Sequence, residues 1–267
     1  MINIIGLPFM VSMILLGGYF FAFFIHIVIY LGFREYVDIL KKHSLSPSVW
    51  LFYLGQFLLC IFSFNVINSS FDVEYWFYLQ SGTLYILIIM IVFFMINEIF
   101  KKSSKPLYNV STSLFGFIWI GFFINSLIFL RLDIGAILTL VVFISLWMCD
   151  TCAFFFGKHF GKSKIMPSVS PNKTILGSVS GLLGSIIFLL FLSYMNYIEL
   201  NYVESFLLGL ITGGISQFGD FFESLLKREL NIKDTSDILR GHGGVLDRFD
   251  SLSIISPLLL YFFYLIK

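Results

Sequence analysis

The chain has 267 residues, of which 58% are hydrophobic, including 34 Phe, and only 12% are charged; its mean hydropathy is +0.92, and ordinary soluble domains are about 25% charged. That composition excludes a soluble globular enzyme and reads as a polytopic membrane protein. A net charge of +1 gives no sign of nucleic acid as a partner, so the distribution of charge has to carry the argument.

A bilayer-crossing helix needs about 20 predominantly apolar residues. Residues 2–33 contain no acid, Lys or Arg. They lack the basic start of a cleaved leader, so a retained transmembrane helix is expected, tilted or broken near Gly17-Gly18. Further spans are predicted over roughly 49–70, 75–97, 111–130, 133–156, 175–197, 203–222 and 251–266. With 5–33 this makes eight transmembrane helices, or nine if the first is two shorter elements. The expected fold is an all-α polytopic membrane protein, a single integral membrane domain over 1–267. Within it, N-terminal helices (1–132) lead into a catalytic C-terminal half (133–267).

Basic residues test this partition independently. Segments 34–48, 98–110, 157–174 and 223–250 hold 15 of the 17 Lys and Arg; the intervening segments hold only Arg131, and Lys267 ends the chain. The positive-inside rule then places both termini outside and the four basic segments in the cytoplasm.

In the N-terminal half the residues read as structural. His26 is expected as a hydrogen-bonded core residue, and Asn65, Asn68, Gln80 and Asn125 as interhelical contacts. The basic loop 98–110 reads as a topology anchor beside anionic lipid. Cys60, Cys149 and Cys152 all lie in apolar runs, and Cys149-x-x-Cys152 lacks the further ligands of a zinc site, so packing is expected there.

The first polar region opens with Asp150, expected to be buried at the end of the fifth span. A membrane carboxylate is a functional residue by default; hydrogen bonding to a neighbouring Thr or the backbone is the structural alternative. The loop KHFGKSKIMPSVSPNKT follows, with four lysines and no acid. Ser168, Ser170 and Thr174 add donors around Lys173. The loop either binds a phosphate headgroup or sits on anionic lipid.

The second polar region is denser: residues 220–250 hold 12 of the 33 charged residues. Asp220, read as ending the seventh span, and Glu223 at i+3 share a helix face and can flank a metal. Lys227, Arg228, Lys233, Arg240 and Arg248 can neutralise a polyphosphate, or simply form the basic loop that topology requires. Gly243-Gly244 allows left-handed backbone angles and close approach to a phosphate. His242 can donate to a phosphate oxygen or leaving group. Asp247 and Asp250 form a second i,i+3 acid pair, so two pairs can converge on one or two divalent ions.

Ser224-x-x-Lys227-Arg228, Lys233-Asp234, His242-Gly243-Gly244, Asp247-Arg248 and Asp250 together resemble the signature of the phosphatidate cytidylyltransferase (CDP-diacylglycerol synthase) family. Asp150-Thr151-x-Ala153-x-x-x-Gly157 and Ser170-Pro171-x-Lys173-Thr174-x-x-Gly177 resemble that family's upstream conserved stretch. The resemblance covers the C-terminal half; the N-terminal spans match only in hydrophobic character. Three positions depart from the pattern: Arg240 stands for Pro, Asn172 for Lys and Leu176 for Glu.

The resemblance implies transfer of CMP from CTP to phosphatidate, giving CDP-diacylglycerol and pyrophosphate. It implies one or two Mg²⁺ ions on Asp220 and Asp247, with Glu223 and Asp250 assisting, and a monovalent cation as a further candidate. Lys227, Arg228, Lys233 and Arg248 would hold phosphates, with Ser224 and Asp150 in the substrate-binding set. His242, Gly243 and Gly244 would line the nucleotide, while Ser170 and Lys173 face the lipid phosphate or CTP. The expected setting is a polar, cytoplasm-facing funnel in a bacterial inner membrane, in a homodimer. Rival readings are a paralogue with another lipid-phosphate acceptor, a CTP-dependent polyprenol kinase and a non-catalytic lipid-binding paralogue.

Overall fold

The computed structural model describes residues 2–68, 75–238 and 243–267. His242 and the Arg240 departure lie outside the described residues. In chain order the helices are α1 (Ile2–Leu16), α2 (Gly18–Lys42), α3 (Val49–Asn68), α4 (Tyr75–Lys101), α5 (Pro106–Gly116) and α6 (Ile124–Phe160). They continue with α7 (Ile175–Tyr194), α8 (Tyr202–Leu210), α9 (Ser216–Glu229) and α10 (Leu246–Ile266). Two π-helical segments, Phe117–Phe123 and Ile211–Ile215, join α5 to α6 and α8 to α9.

The chain is therefore an all-α polytopic membrane protein. Six described stretches are long and apolar enough to cross a membrane, one of them the 55-residue run Pro106–Phe160. That run is more than twice a bilayer crossing, and Gly135 interrupts it at φ 76, ψ 177, a conformation essentially confined to glycine. The break expected at 131–132 thus falls at Gly135, where the backbone permits it.

The first predicted span does divide at Gly17 and Gly18, both at positive φ. The Arg131 guanidinium donates its Nε–H to the Ile14 carbonyl (2.7 Å), satisfying an acceptor at the end of α1 that has no partner further along the helix.

Other predicted ends move outward. The seventh span, expected to stop at 222, continues helically to Glu229, and the last begins at Leu246 rather than 251. Asp220 therefore lies inside α9, nine residues before its end, and Asp150 lies ten residues before the end of α6. Hydropathy locates the apolar core of a span, whereas the backbone stays helical through the polar turns beyond it.

The chain forms two compact units, one built from the described residues up to Leu132 and of Asp234–Arg248, the other from Asp133–Lys233 and Phe249–Lys267. The first has an aromatic core. Phe33 packs on Phe52 (centroids 4.9 Å) and Phe117 (6.3 Å), and Phe94 on Phe52 (5.6 Å). Gly55 and Gly116 leave the space that the Phe117 and Tyr36 rings occupy. The second unit packs through small residues. A Cβ on Gly177 or Gly181 would meet the α6 backbone at Ala153 or Cys149, and one on Gly209 or Gly213 would meet α7 at Ile186 or Leu182. Close backbone approach of this kind holds helices together where lipid removes the hydrophobic drive. Buried hydroxyls add to it, with Ser145 bonding Thr212 (2.7 Å) and Ser185 donating to the Ser145 carbonyl (2.9 Å).

Candidate active site

In the second unit, the loop between α6 and α7 is folded back on itself. Ile165 N–H donates to the Lys173 carbonyl (3.2 Å) and Ile175 N–H to that of Ser163 (3.0 Å), with a lone antiparallel bridge between Lys164 and Thr174. Ser170 closes the turn through its backbone, its N–H donating to Met166 (2.9 Å) and its carbonyl accepting from Lys173 N–H (3.3 Å). Thr174 is buried and caps α7 by accepting from Gly177 N–H (3.0 Å). It thus serves as a helix cap while also lining the cavity described below.

Capping fixes the residue just before it. Lys173 forms an ion pair with Asp220, and its ammonium lies 4.1 Å from the Phe221 ring centroid. On the other side, Gly219 lets α9 approach the Asp250 carbonyl and Ser251, where a Cβ would collide. The close approach brings Asp220 near Asp250. Asp220 acts electrostatically on both Asp150 and Asp250, and Lys173 opposes it at both.

These groups surround a cavity of about 510 Å³, lined among others by Asp150, Lys158, Lys164, Lys173, Asp220 and Ser251. Asp150, expected to be buried, is exposed and opens into this cavity. Of the departures in this unit, Asn172 lines the cavity, whereas Leu176 is exposed on α7 and is not among the lining residues.

Most of the remaining expected residues of this unit contact protein groups. Glu223 is 1% exposed and accepts from Lys227 Nζ at 3.1 Å, one helical turn away. The Arg228 guanidinium donates to the carbonyls of Val169 (3.2 Å) and Ile232 (3.4 Å), bracing the loop that carries Lys173. The Ser224 hydroxyl reaches Asp220 Oδ1 at 3.4 Å. Lys233 is exposed. Cys149 and Cys152 are free thiols, and Cys149 packs against the Gly213 carbonyl (3.4 Å).

In the first unit the signature residues meet a partner that sequence reasoning missed. Glu35 of α2 is 1% exposed. It accepts from Val245 N–H (2.8 Å), Leu246 N–H (3.0 Å) and the Ser236 hydroxyl (2.6 Å). Asp247 Oδ2 accepts from Thr235 N–H (3.0 Å) and Gly244 N–H (2.6 Å). The Thr235 hydroxyl sits 3.1 Å from Glu35 and 3.0 Å from Asp247. Gly243 is left-handed (φ 77), as its residue type allows. A Cβ at Gly244 would meet Thr235 Oγ1 and Glu35 Oε2, so this glycine makes room for protein groups. Arg248 is exposed. Helical periodicity held the signal for Glu35, since Val28, Gly32, Glu35 and Ile39 share the buried face of α2.

Among the described residues no three His, Cys, Asp or Glu side chains form a preassembled metal cage. The donors are hard carboxylate oxygens, the kind Mg²⁺ prefers. Mg²⁺ usually takes only one or two carboxylates and completes its shell with water and substrate phosphates, so Asp220 and its carboxylate neighbours fit it.

A profile of the cytidylyltransferase family matches residues 1–266. The chain is 29% identical to the phosphatidate cytidylyltransferase of Synechocystis sp., over 98% of this chain and 94% of that protein. It is 37% identical to that of Haemophilus influenzae over 61% and 60% of the two chains. With that of Staphylococcus aureus the identity is 46% over 45% and 46%.

Proposed function

The chain belongs to the cytidylyltransferase family, and from that premise we propose that it transfers CMP from CTP to phosphatidate, forming CDP-diacylglycerol and releasing pyrophosphate. The observation that carries this reading is the cavity of about 510 Å³ with Lys158, Lys164 and Lys173 on its wall and the Lys173–Asp220 pair within it. Its volume falls in the range of about 300–1,000 Å³ typical of small-molecule sites, and its cations suit phosphates.

The chemistry asks little of a base. A phosphate oxygen of the lipid, already anionic, attacks the α-phosphorus of CTP. The bond from that phosphorus to the bridging oxygen breaks, and pyrophosphate leaves with the electron pair. The obstacle is bringing one polyanion to another, so catalysis is positioning and charge neutralisation. Lys173 is suited to this because its partner can be exchanged: an incoming phosphate takes the ammonium from Asp220, freeing that carboxylate as the phosphate binds. Mg²⁺, for which the sequence reading offers Asp220 and Asp247 with Glu223 and Asp250 assisting, would further screen the charge of the triphosphate.

The protein is integral to the membrane; its placement in a bacterial inner membrane with the site facing the cytoplasm is part of the proposal. Fifteen of 17 Lys and Arg in four alternate segments support that orientation. A polar funnel admitting CTP from the cytoplasm and phosphatidate from the inner leaflet is the matching geometry. A homodimer is carried by the family resemblance alone.

Purified protein supplied with phosphatidate and either α- or γ-labelled CTP tests the reaction. Label is expected in the lipid only from the α position; label from the γ position would mean a kinase. Asn172 in the cavity wall makes alternative lipid phosphates the necessary second arm of that assay.

A further inference from the structure

We infer that Glu35 is a positioning residue for the transfer reaction, holding segments 235–238 and 243–247 in the conformation in which Asp247 acts. The inference rests on the cytidylyl-transfer reading for the role of Asp247.

The argument starts from the cost of burial. A carboxylate that is 1% exposed in a membrane helix needs strong compensation. Glu35 finds it in donors 200 and more residues away: the hydroxyls of Thr235 and Ser236, and the N–H groups of Val245 and Leu246. Those two amides open α10. The first turn of a helix has unsatisfied N–H groups and a positive dipole end, and so favours an anion. Val245, just before the helix, has no side chain that can cap it. The nearest acid, Asp247, is bonded to Thr235 and Gly244. Glu35 thus provides from α2 the cap that the local sequence lacks.

That arrangement couples Glu35 to Asp247. The Thr235 hydroxyl lies between the two carboxylates, at 3.1 and 3.0 Å. With a single proton it donates to only one of them at a time. Gly244 is wedged beside the same groups, with no room for a Cβ. Moving Glu35 would therefore release the turn that aims Asp247, although Glu35 touches no substrate itself.

The test uses the full-length protein purified in lipid or detergent, with Glu35→Gln, Glu35→Asp and Thr235→Val. Three quantities are read: amide hydrogen exchange at 244–246, kcat and CTP KM across a Mg²⁺ titration, and thermal unfolding. Glu35→Gln keeps the size but presents an amide N–H to donors. Exchange at 244–246 should accelerate about tenfold or more. Per folded molecule, kcat should fall about 100-fold, the scale of a misplaced reacting group, with the Mg²⁺ midpoint rising and CTP KM changing less. Glu35→Asp should recover part of the loss. Thr235→Val removes only the bridging hydroxyl and should move the same quantities the same way, about tenfold in kcat. If Glu35→Gln does not fold, Thr235→Val decides. Variants whose kcat per folded molecule and Mg²⁺ midpoint equal wild type would overturn the inference and leave Glu35 a helix cap. If wild-type protein forms no CDP-lipid, the reaction reading and the catalytic half of this inference fall together. Exchange at 244–246 still upholds or refutes the clamp.

Discussion

Asp247 and Asp220 are both carboxylates expected to hold metal, yet their surroundings are opposite. Asp247 Oδ2 takes two backbone N–H bonds from a turn that Glu35 braces from beneath. Asp220 is 39% exposed and pairs with a lysine that is itself 27% exposed. One carboxylate is fixed before any substrate arrives; the other sits in a contact that substrate can replace. Preorganised groups avoid reorganisation cost during reaction, while exchangeable pairs let a charged ligand enter without stranding a charge. The difference teaches that two carboxylates expected in the same role can be held by opposite physical means.

The largest expected effect would break this contrast outright if it failed. Asp220→Asn should lower CMP transfer by about 10²–10³-fold, the scale for losing one well-placed electrostatic group, with little change in thermal unfolding. Asp247→Asn should lose comparable activity and also destabilise the fold. Its neutral carboxamide keeps one acceptor oxygen for Thr235 and Gly244 but loses the charge that strengthens those bonds. Transfer assays and unfolding curves on the two variants, side by side, check both halves. An Asp220→Asn protein that melts early, beside an Asp247→Asn protein that does not, would reverse the assignment.

Much of this was legible in the residues. Hydropathy located the membrane helices, and Gly17-Gly18 marked a real break. Asp150 and Asp220 were picked out as acids at the ends of apolar spans and Lys173 as part of a basic polar loop, and the fold brings them to one cavity. What could not be read were partners distant in sequence. Glu35 went unnoticed, because its donors come about 200 positions later. Arg228 looked like a phosphate ligand, because nothing local shows that the Val169 and Ile232 carbonyls will occupy it. Gly244 suggested phosphate approach, whereas the space it saves is filled by Thr235 and Glu35.

Glu223 and Lys227 sharpen the comparison at a smaller scale. Sequence reading suggests a metal contact for Glu223 and a phosphate contact for Lys227, but the structure joins them as an i,i+4 pair with side chains 1% and 16% exposed. If the pair is structural, Lys227→Met should destabilise by about 3 kcal/mol, because a buried carboxylate loses its cation. The double variant Lys227→Met/Glu223→Leu should recover most of that loss. If Lys227 instead serves phosphate, the single variant raises CTP KM and leaves unfolding unchanged. Calorimetry with CTP titrations separates the two.

The smallest expected effect is at Thr174, which links stability to the site through one bond. Its hydroxyl caps α7, and substitutions at such caps cost about 1 kcal/mol. Thr174→Ala should lower stability by that amount, and Thr174→Ser should restore it. Because Lys173 immediately precedes the cap, fraying there should also loosen its hold on Asp220. CTP KM should then rise modestly in the Ala variant and return to normal in the Ser variant. A stability loss with unchanged KM would mean that Lys173 is placed by the folded-back 163–175 backbone pairing alone. In that case the exchangeable Lys173–Asp220 pair would depend on the loop rather than on the helix end.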